Sequence, residues 1–275
     1  MELHGKNPQK NVIAIIPARY ASMRLPGKML LEIAGRPLIL HTLGQAGKAR
    51  NVSRVIVATD DERILRVVQE NGGEAAMTSA EHRSGSDRLA EVAENLPLDS
   101  IIVNVQGDEP TISPRTIELA VEAFINDSTA DIATTSESIT EIGELMNGNV
   151  VKVVTNGDGY AVYFSRSPMP FPRDASLRYD GDPNRAIRHE PELMSIFRKH
   201  TGLYVYRREY LLEFTKLPPS KLEKIEMLEQ LRALENGAKI RVVEVNEPSI
   251  GVDTPEDLEI VRRLLDHNRG RQHSG

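Results

Sequence analysis

The chain has 275 residues, 40% hydrophobic and 27% charged, and its 34 basic against 40 acidic residues leave a formal net charge of −6. That length suits one large domain or two modest ones with a core that needs no covalent staples. The absence of cysteine excludes a disulfide framework, a thiolate zinc site, an iron–sulfur cluster and a cysteine nucleophile, and the acidic balance argues against nucleic acid as a partner.

No stretch approaches the roughly 20 apolar residues of a membrane helix, and residues 1–10 lack the apolar core of a signal peptide. The expectation is a cytoplasmic protein without membrane insertion. Residues 1–10 and 268–275 are polar and aperiodic and read as tails around a single domain at 11–267.

In chain order, β-branched runs at 12–16, 54–59, 74–78 and 101–105 alternate with helical patterns at 37–50, 61–71, 86–96 and 114–126. This alternation predicts an α/β fold with a mostly parallel sheet flanked by helices. The rhythm then changes. Strands are predicted at 131–137, 150–155 and 160–164, the last two joined by Asn156-Gly157-Asp158-Gly159, a hairpin signal. With the irregular, proline-interrupted stretch 165–200, they form a smaller β-containing subdomain inserted at about 131–200. A strand at 201–206, a helix at 221–235, a strand at 239–245 and a capped helix from Thr254-Pro255 complete the pattern.

Three loops carry chemistry. After the first strand, Arg19, Arg24 and Lys28 place three cations at a carboxyl strand end, where open sheets bind ligands. The loop is neither a dinucleotide fingerprint nor a Walker A loop, and three cations suit a polyphosphate. A solvated basic loop is the competing reading. After the fourth strand, Asp108 in Gln106-Gly107-Asp108-Glu109-Pro110 offers a hard oxygen ligand, against the alternative of an ordinary turn. Asp253 stands just before the final helix, either as a second such ligand or as support for the helix cap. Two carboxylates facing one cationic loop form the minimal apparatus for Mg²⁺-assisted phosphoryl or nucleotidyl transfer.

The successive strings IIPARYASMRLPGK (15–28), RVIVATDD (54–61), GGEAAMTSAEHRSGSDRLAEV (72–92), IIVNVQGDEP (101–110), VVKVV (150–154), GYAVYFSRSPMPFPRD (159–174), HTGLYVYRREYL (200–211), LEKIEMLEQLR (222–232) and GVDTPEDLE (251–259) resemble, in order and over nearly the whole chain, the 3-deoxy-manno-octulosonate cytidylyltransferase (CMP-Kdo synthetase) family of Gram-negative bacteria. The resemblance implies a nucleotide-diphospho-sugar transferase-like fold and conversion of CTP and Kdo to CMP-Kdo and pyrophosphate for lipopolysaccharide synthesis, with Mg²⁺, in a homodimer. It implies catalytic roles for Arg19, Lys28, Asp108 and Asp253, the two aspartates holding the metal. Pro17, Ala18, Arg19, Arg24, Lys28, Met77, Thr78, His82, Ser84 and Gly85 would bind CTP. Gln106, Arg166, His200, Tyr204, Glu226 and Gln230 would bind the sugar acid, with Glu226 and Gln230 one turn apart on a single helix. A cytidylyltransferase for another acidic sugar, 8-amino-Kdo or a sialic acid, and a non-catalytic nucleotide-binding protein are the alternatives. Polar tails, the lack of tryptophan and the long stretch 173–199 depart from the family pattern.

Overall fold

Strand β1 (Val12–Ala18, VIAIIPA) is apolar along its whole length and buried at every residue but Pro17, as a strand covered on both faces must be. In the computed structural model, which describes residues 11–21 and 24–272, β1 pairs in parallel with β4 (Arg54–Thr59) and with β6 (Ile101–Asn104). Strand β5 (Glu74–Met77) adds to β4, also in parallel, giving the order β6-β1-β4-β5. Because all four strands point the same way, the loops that follow them emerge at one edge. A short hairpin of β2 (Glu32–Ile33) and β3 (Arg36–Pro37) turns through Ala34 and Gly35, both at positive φ.

The helices of this part are set by their caps. Helix α2 (Glu62–Glu70) is opened by the Asp61 carboxylate, and α3 (Gly85–Ala93) by a capping box in which Ser84 and Asp87 satisfy each other's backbone N–H groups. Helix α1 (Leu38–Ala46) ends at Gly47, short of the predicted 50. Helix α8 (Arg208–Phe214) is tied to α3 by Arg208, which donates to the carbonyls of Ala93 at 2.7 Å and Glu94 at 2.8 Å. Thr254 and Asp257 form a further capping box at the start of α11 (Pro255–Gln272), which extends into the expected tail. Residues 1–10 and 273–275, also expected as tails, lie outside the described residues.

The chain forms two compact units. The first holds the described residues through Glu118, Val205–Thr215 and those from Ser249 on; the second holds Leu119–Tyr204 and Lys216–Pro248. Helix α4 (Pro114–Asn126) begins in the first and ends in the second. In the second unit β7 (Ile132–Ser138) pairs in parallel with β11 (Ile240–Glu244) and lies beside β10 (Arg198–Arg207). The predicted hairpin is β8 (Lys152–Thr155) and β9 (Ala161–Ser165), closed by Asn156 N–H on the Tyr160 carbonyl at 2.9 Å.

Two sequence expectations need correction here. The stretch 165–200 is not irregular throughout: α6 (Arg173–Leu177), α7 (Pro183–His189) and a 3₁₀ segment (Pro191–Ile196) form within it, and Ile187 and Phe197 pack with Ile139 and with Leu145 of α5 (Ile142–Met146) in a small core. The single helix predicted at 221–235 is two, α9 (Lys221–Glu226) and α10 (Gln230–Glu235). Met227 between them adopts a left-handed conformation (φ 54°), and the carbonyls of Glu226 and Met227 accept hydrogen bonds from Arg166 instead of continuing the helix. Burial divides the two helices as well: Leu228 and Leu231 are buried, whereas Ile225 is 68% exposed. Glu226 and Gln230 therefore belong to different helices.

Candidate active site

The loop after β1 folds back on itself. Gly27 takes a left-handed conformation (φ 67°) and its N–H bonds the Tyr20 carbonyl at 3.2 Å, after which a 3₁₀ turn (Lys28–Leu30) carries Lys28 and Met29 inward. Arg63 covers the Tyr20 ring at 3.5 Å. After β6, a Cβ on Gly107 would lie 2.8 Å from the Pro17 carbonyl oxygen, so only glycine lets the two strand ends approach this closely. The loop before α11 is joined to this one by Val252 N–H on the Asp108 carbonyl at 2.8 Å.

These three loops meet on Lys28. Its ammonium donates to Asp108 Oδ2 at 2.5 Å, to Asp253 Oδ1 at 3.0 Å and to the Val252 carbonyl at 3.0 Å. Arg24 donates to the other oxygen of Asp253, also at 3.0 Å. Capping of α11 is done by Thr254 and Asp257, which leaves the Asp253 carboxylate to face the cations; the cap-support reading of Asp253 is superseded. Burial alone would lower the Lys28 pKa, but the charge and hydrogen bond of Asp108, with those of Asp253, outweigh it and hold the amine above its usual range. Burial would raise Asp253, yet Lys28 and then Arg24 hold its carboxyl below the ordinary carboxylate range.

The cleft around this cluster has a volume of about 720 Å³ and lies wholly within the first unit. Of the residues expected at the nucleotide, it gathers Pro17, Arg19, Arg24, Lys28, His82, Ser84 and Gly85, together with Asp108 and Asp253. Arg19 is exposed at its rim. Ala18 is fully buried in β1, Thr78 is buried and Met77 is 47% exposed, and none of these three borders the cleft. Thr78 is tied to it through Arg88, a cleft residue whose guanidinium donates to Thr78 Oγ1 at 2.5 Å and to Asp60 Oδ2 at 2.7 Å. Sequence reasoning did not single out Arg88, although its place one turn into a capped helix was a usable signal. His82 is held by the Glu91 carboxylate. Gln106, expected at the sugar acid, also borders this cleft.

The remaining sugar-acid candidates lie in the second unit. Ser165 Oγ and the Arg166 N–H donate to the two oxygens of Glu226 at 2.7 and 3.0 Å, and the Arg166 guanidinium donates to the carbonyls of Glu226, Gly148 and Met227. Phe164 packs edge-on against His200, whose ring is 5.3 Å from that of Tyr204. Gln230 is buried at the start of α10. Thr134 Oγ1 donates to the Leu203 carbonyl at 2.6 Å, so toward His200 Nε2, at 2.9 Å, it can only accept. His200 is thereby assigned the Nε2–H tautomer, with Nδ1 as an acceptor. Burial lowers its pKa to about 3, so the ring is neutral, and burial pushes the Tyr204 hydroxyl well up. Lys152, which sequence reasoning passed over, is fully buried, donates to the carbonyls of Asn147 and Val150, and has its pKa lowered by burial and by Arg166.

Residues 13–240 match the family described as Cytidylyltransferase. The chain is 50% identical over 257 residues to the 3-deoxy-manno-octulosonate cytidylyltransferase of Geobacter sulfurreducens, covering 93% of this chain and 99% of that one. It is 51% identical over 254 residues to the protein of the same name from Trichlorobacter lovleyi, covering 92% and 98%. A solved structure of CMP:2-keto-3-deoxy-manno-octonic acid synthetase complexed with CTP superimposes with a TM-score of 0.83 at 41% identity, covering 94% of this chain and 99% of the other. With a cationic loop and two carboxylates converging in a parallel α/β sheet, and with likeness of this extent, the chain belongs to the cytidylyltransferase family, among the 3-deoxy-manno-octulosonate cytidylyltransferases.

Proposed function

We infer that the chain is a nucleotidyltransferase that activates Kdo with CTP, giving CMP-Kdo and pyrophosphate. The observation that carries the reading is the meeting of Asp108 and Asp253 on one lysine inside a cleft bordered by Arg19 and Arg24. In the reaction the anomeric 2-hydroxyl of the sugar acid attacks the α-phosphorus of CTP, and the bond from that phosphorus to the pyrophosphate oxygen breaks. Arg19, Arg24 and Lys28 neutralise the triphosphate and the charge that develops on the leaving pyrophosphate. We assign the base to Pro17, Ala18, Met77, Thr78, His82, Ser84 and Gly85, of which Pro17, His82, Ser84 and Gly85 border the cleft.

Magnesium fits the donor set. Among the described residues no group of three or more His, Cys, Asp or Glu side chains gathers for a metal, and two converging carboxylates suit an ion that takes one or two of them and completes its shell with water and phosphate oxygens. Bound by Asp108 and Asp253, it supplies charge neutralisation at the phosphate and a lower pKa for the attacking hydroxyl. We assign the sugar acid to Gln106, Arg166, His200, Tyr204, Glu226 and Gln230. His200 Nδ1 accepts from a sugar hydroxyl, and the Glu226 carboxylate, fixed by Ser165 and Arg166, is oriented to do the same.

A homodimer is part of this reading, supported by the apolar side chains that the second unit exposes at Val162, Phe171 and Leu177; light scattering in solution checks it. A cytoplasmic location accords with the lack of cysteine, and no described helix is long and apolar enough to cross a membrane. The deciding experiment is pyrophosphate release from CTP with Kdo, 8-amino-Kdo or a sialic acid. Kdo is expected to be preferred, and Asp108→Ala and Asp253→Ala to lose turnover by about a hundredfold or more. A large preference for another acid would change the substrate, and CTP binding without pyrophosphate release from any acid would leave only a nucleotide-binding protein.

A further inference from the structure

The ammonium of Lys28 has three protons, and three acceptors take them: Asp108 Oδ2, Asp253 Oδ1 and the Val252 carbonyl. The side chain is only 10% exposed, and the 3₁₀ turn beneath it is anchored by buried Met29. Arg24 takes the second oxygen of Asp253. Two carboxylates are thus balanced by two cations, and the pair presents no net negative charge to a divalent ion. Arg24, with 59% of its side chain exposed, sits at the mouth of the same cleft, where an entering triphosphate meets it.

We propose that Lys28 is a resident counter-cation that keeps Asp108 and Asp253 closed to divalent metal until a nucleoside triphosphate draws it away. A triphosphate carries more charge than either carboxylate and offers the ammonium charge-assisted hydrogen bonds of its own. Once Lys28 and Arg24 turn to the phosphates, the two carboxylates face the cleft with their full charge. Metal and nucleotide then bind with positive coupling, which by linkage is reciprocal. The enzyme loads the metal together with the nucleotide and does not hold it beforehand. This inference rests on the reading of Asp108 and Asp253 as the metal-binding carboxylates, and the test separates the two.

The probe is Mn²⁺, followed by electron paramagnetic resonance on the full chain without nucleotide. Wild type is expected to bind it no better than Asp108→Asn does. Lys28→Met and Lys28→Gln, the second of which keeps hydrogen-bond donors to the carboxylates, are each expected to bind it about tenfold tighter or more, because a positive charge has been removed from between two carboxylates. Adding Asp253→Asn to either variant should abolish the gain. Tight nucleotide-free binding by wild type that Asp108→Asn removes overturns the proposal, and so does the absence of any gain in a Lys28 variant with a native circular dichroism spectrum. A parallel series with CTP present judges the underlying reading. If Mn²⁺ then depends on Asp108 and Asp253 while the Lys28 variants show no gain without CTP, only the counter-cation role falls; if it does not depend on them, the metal assignment falls as well.

Discussion

Replacing Gly107 by alanine tests how the site is assembled. The added Cβ would stand 2.8 Å from the Pro17 carbonyl oxygen and 3.2 Å from Met29 Sδ and Cε. Neither side yields easily. Pro17 lies in β1 in register with Ala58 of β4, and the Gly107 carbonyl is held by Thr42 Oγ1 at 2.9 Å. Overpacking of this kind costs about 1–3 kcal/mol, and for a chain of this size each kcal/mol lowers Tm by about 2–4 °C. The strain is relieved by movement of the loop that carries Asp108, and a shift of about half an ångström at a catalytic group lowers turnover by about tenfold. The assay is thermal unfolding beside pyrophosphate release, with Gly44→Ala as the control. Gly44 lies inside α1 with nothing within 4 Å of a new Cβ, so the same substitution there should stabilise by about 0.5–1 kcal/mol and leave turnover unchanged. A Gly107→Ala variant equal to wild type in both Tm and turnover would refute the reasoning.

Four further outcomes are expected. Arg24→Met should raise the KM for CTP while changing Tm by little, since both partners of its ion pair are about half exposed. Arg88→Met should destabilise by about 3–5 kcal/mol because it strands the Asp60 carboxylate, and adding Asp60→Asn should recover much of that loss in chemical denaturation. Met227→Gly should raise Tm, by up to about 1 kcal/mol of stability, through relief of its left-handed conformation. For His200 the folded pKa of about 3 lies below the ordinary 6.5, so the fold favours the neutral ring. Its contribution is complete above pH 6.5 and is lost as pH falls toward 3, at no more than about 1.4 kcal/mol per pH unit. The Tm of His200→Phe should therefore fall less steeply over that range, and a His200 ring proton titrating near 6.5 by NMR would contradict the assignment.

What the sequence determined alone is whatever local pattern controls. The apolar runs of β1, β4 and β6, the Asn156-Gly157-Asp158-Gly159 turn and the cap at Thr254 were legible because period, turn chemistry and capping are local properties. That the loops carrying Arg24, Lys28 and Asp108 lie near one another was also legible, since loops after parallel strands gather at one edge. Tertiary structure decided the rest. Nothing near Met227 in sequence announces that Arg166, some sixty positions away, takes the carbonyls that would have continued α9. The small core of Ile139, Leu145, Ile187 and Phe197, which orders the stretch 173–199, joins residues whose spacing has no period. Only the folded chain could assign the Asp253 carboxylate to Lys28 rather than to the helix cap, because that choice depends on an ion pair spanning 225 positions, and in isolation a carboxylate before a helix serves either role equally well.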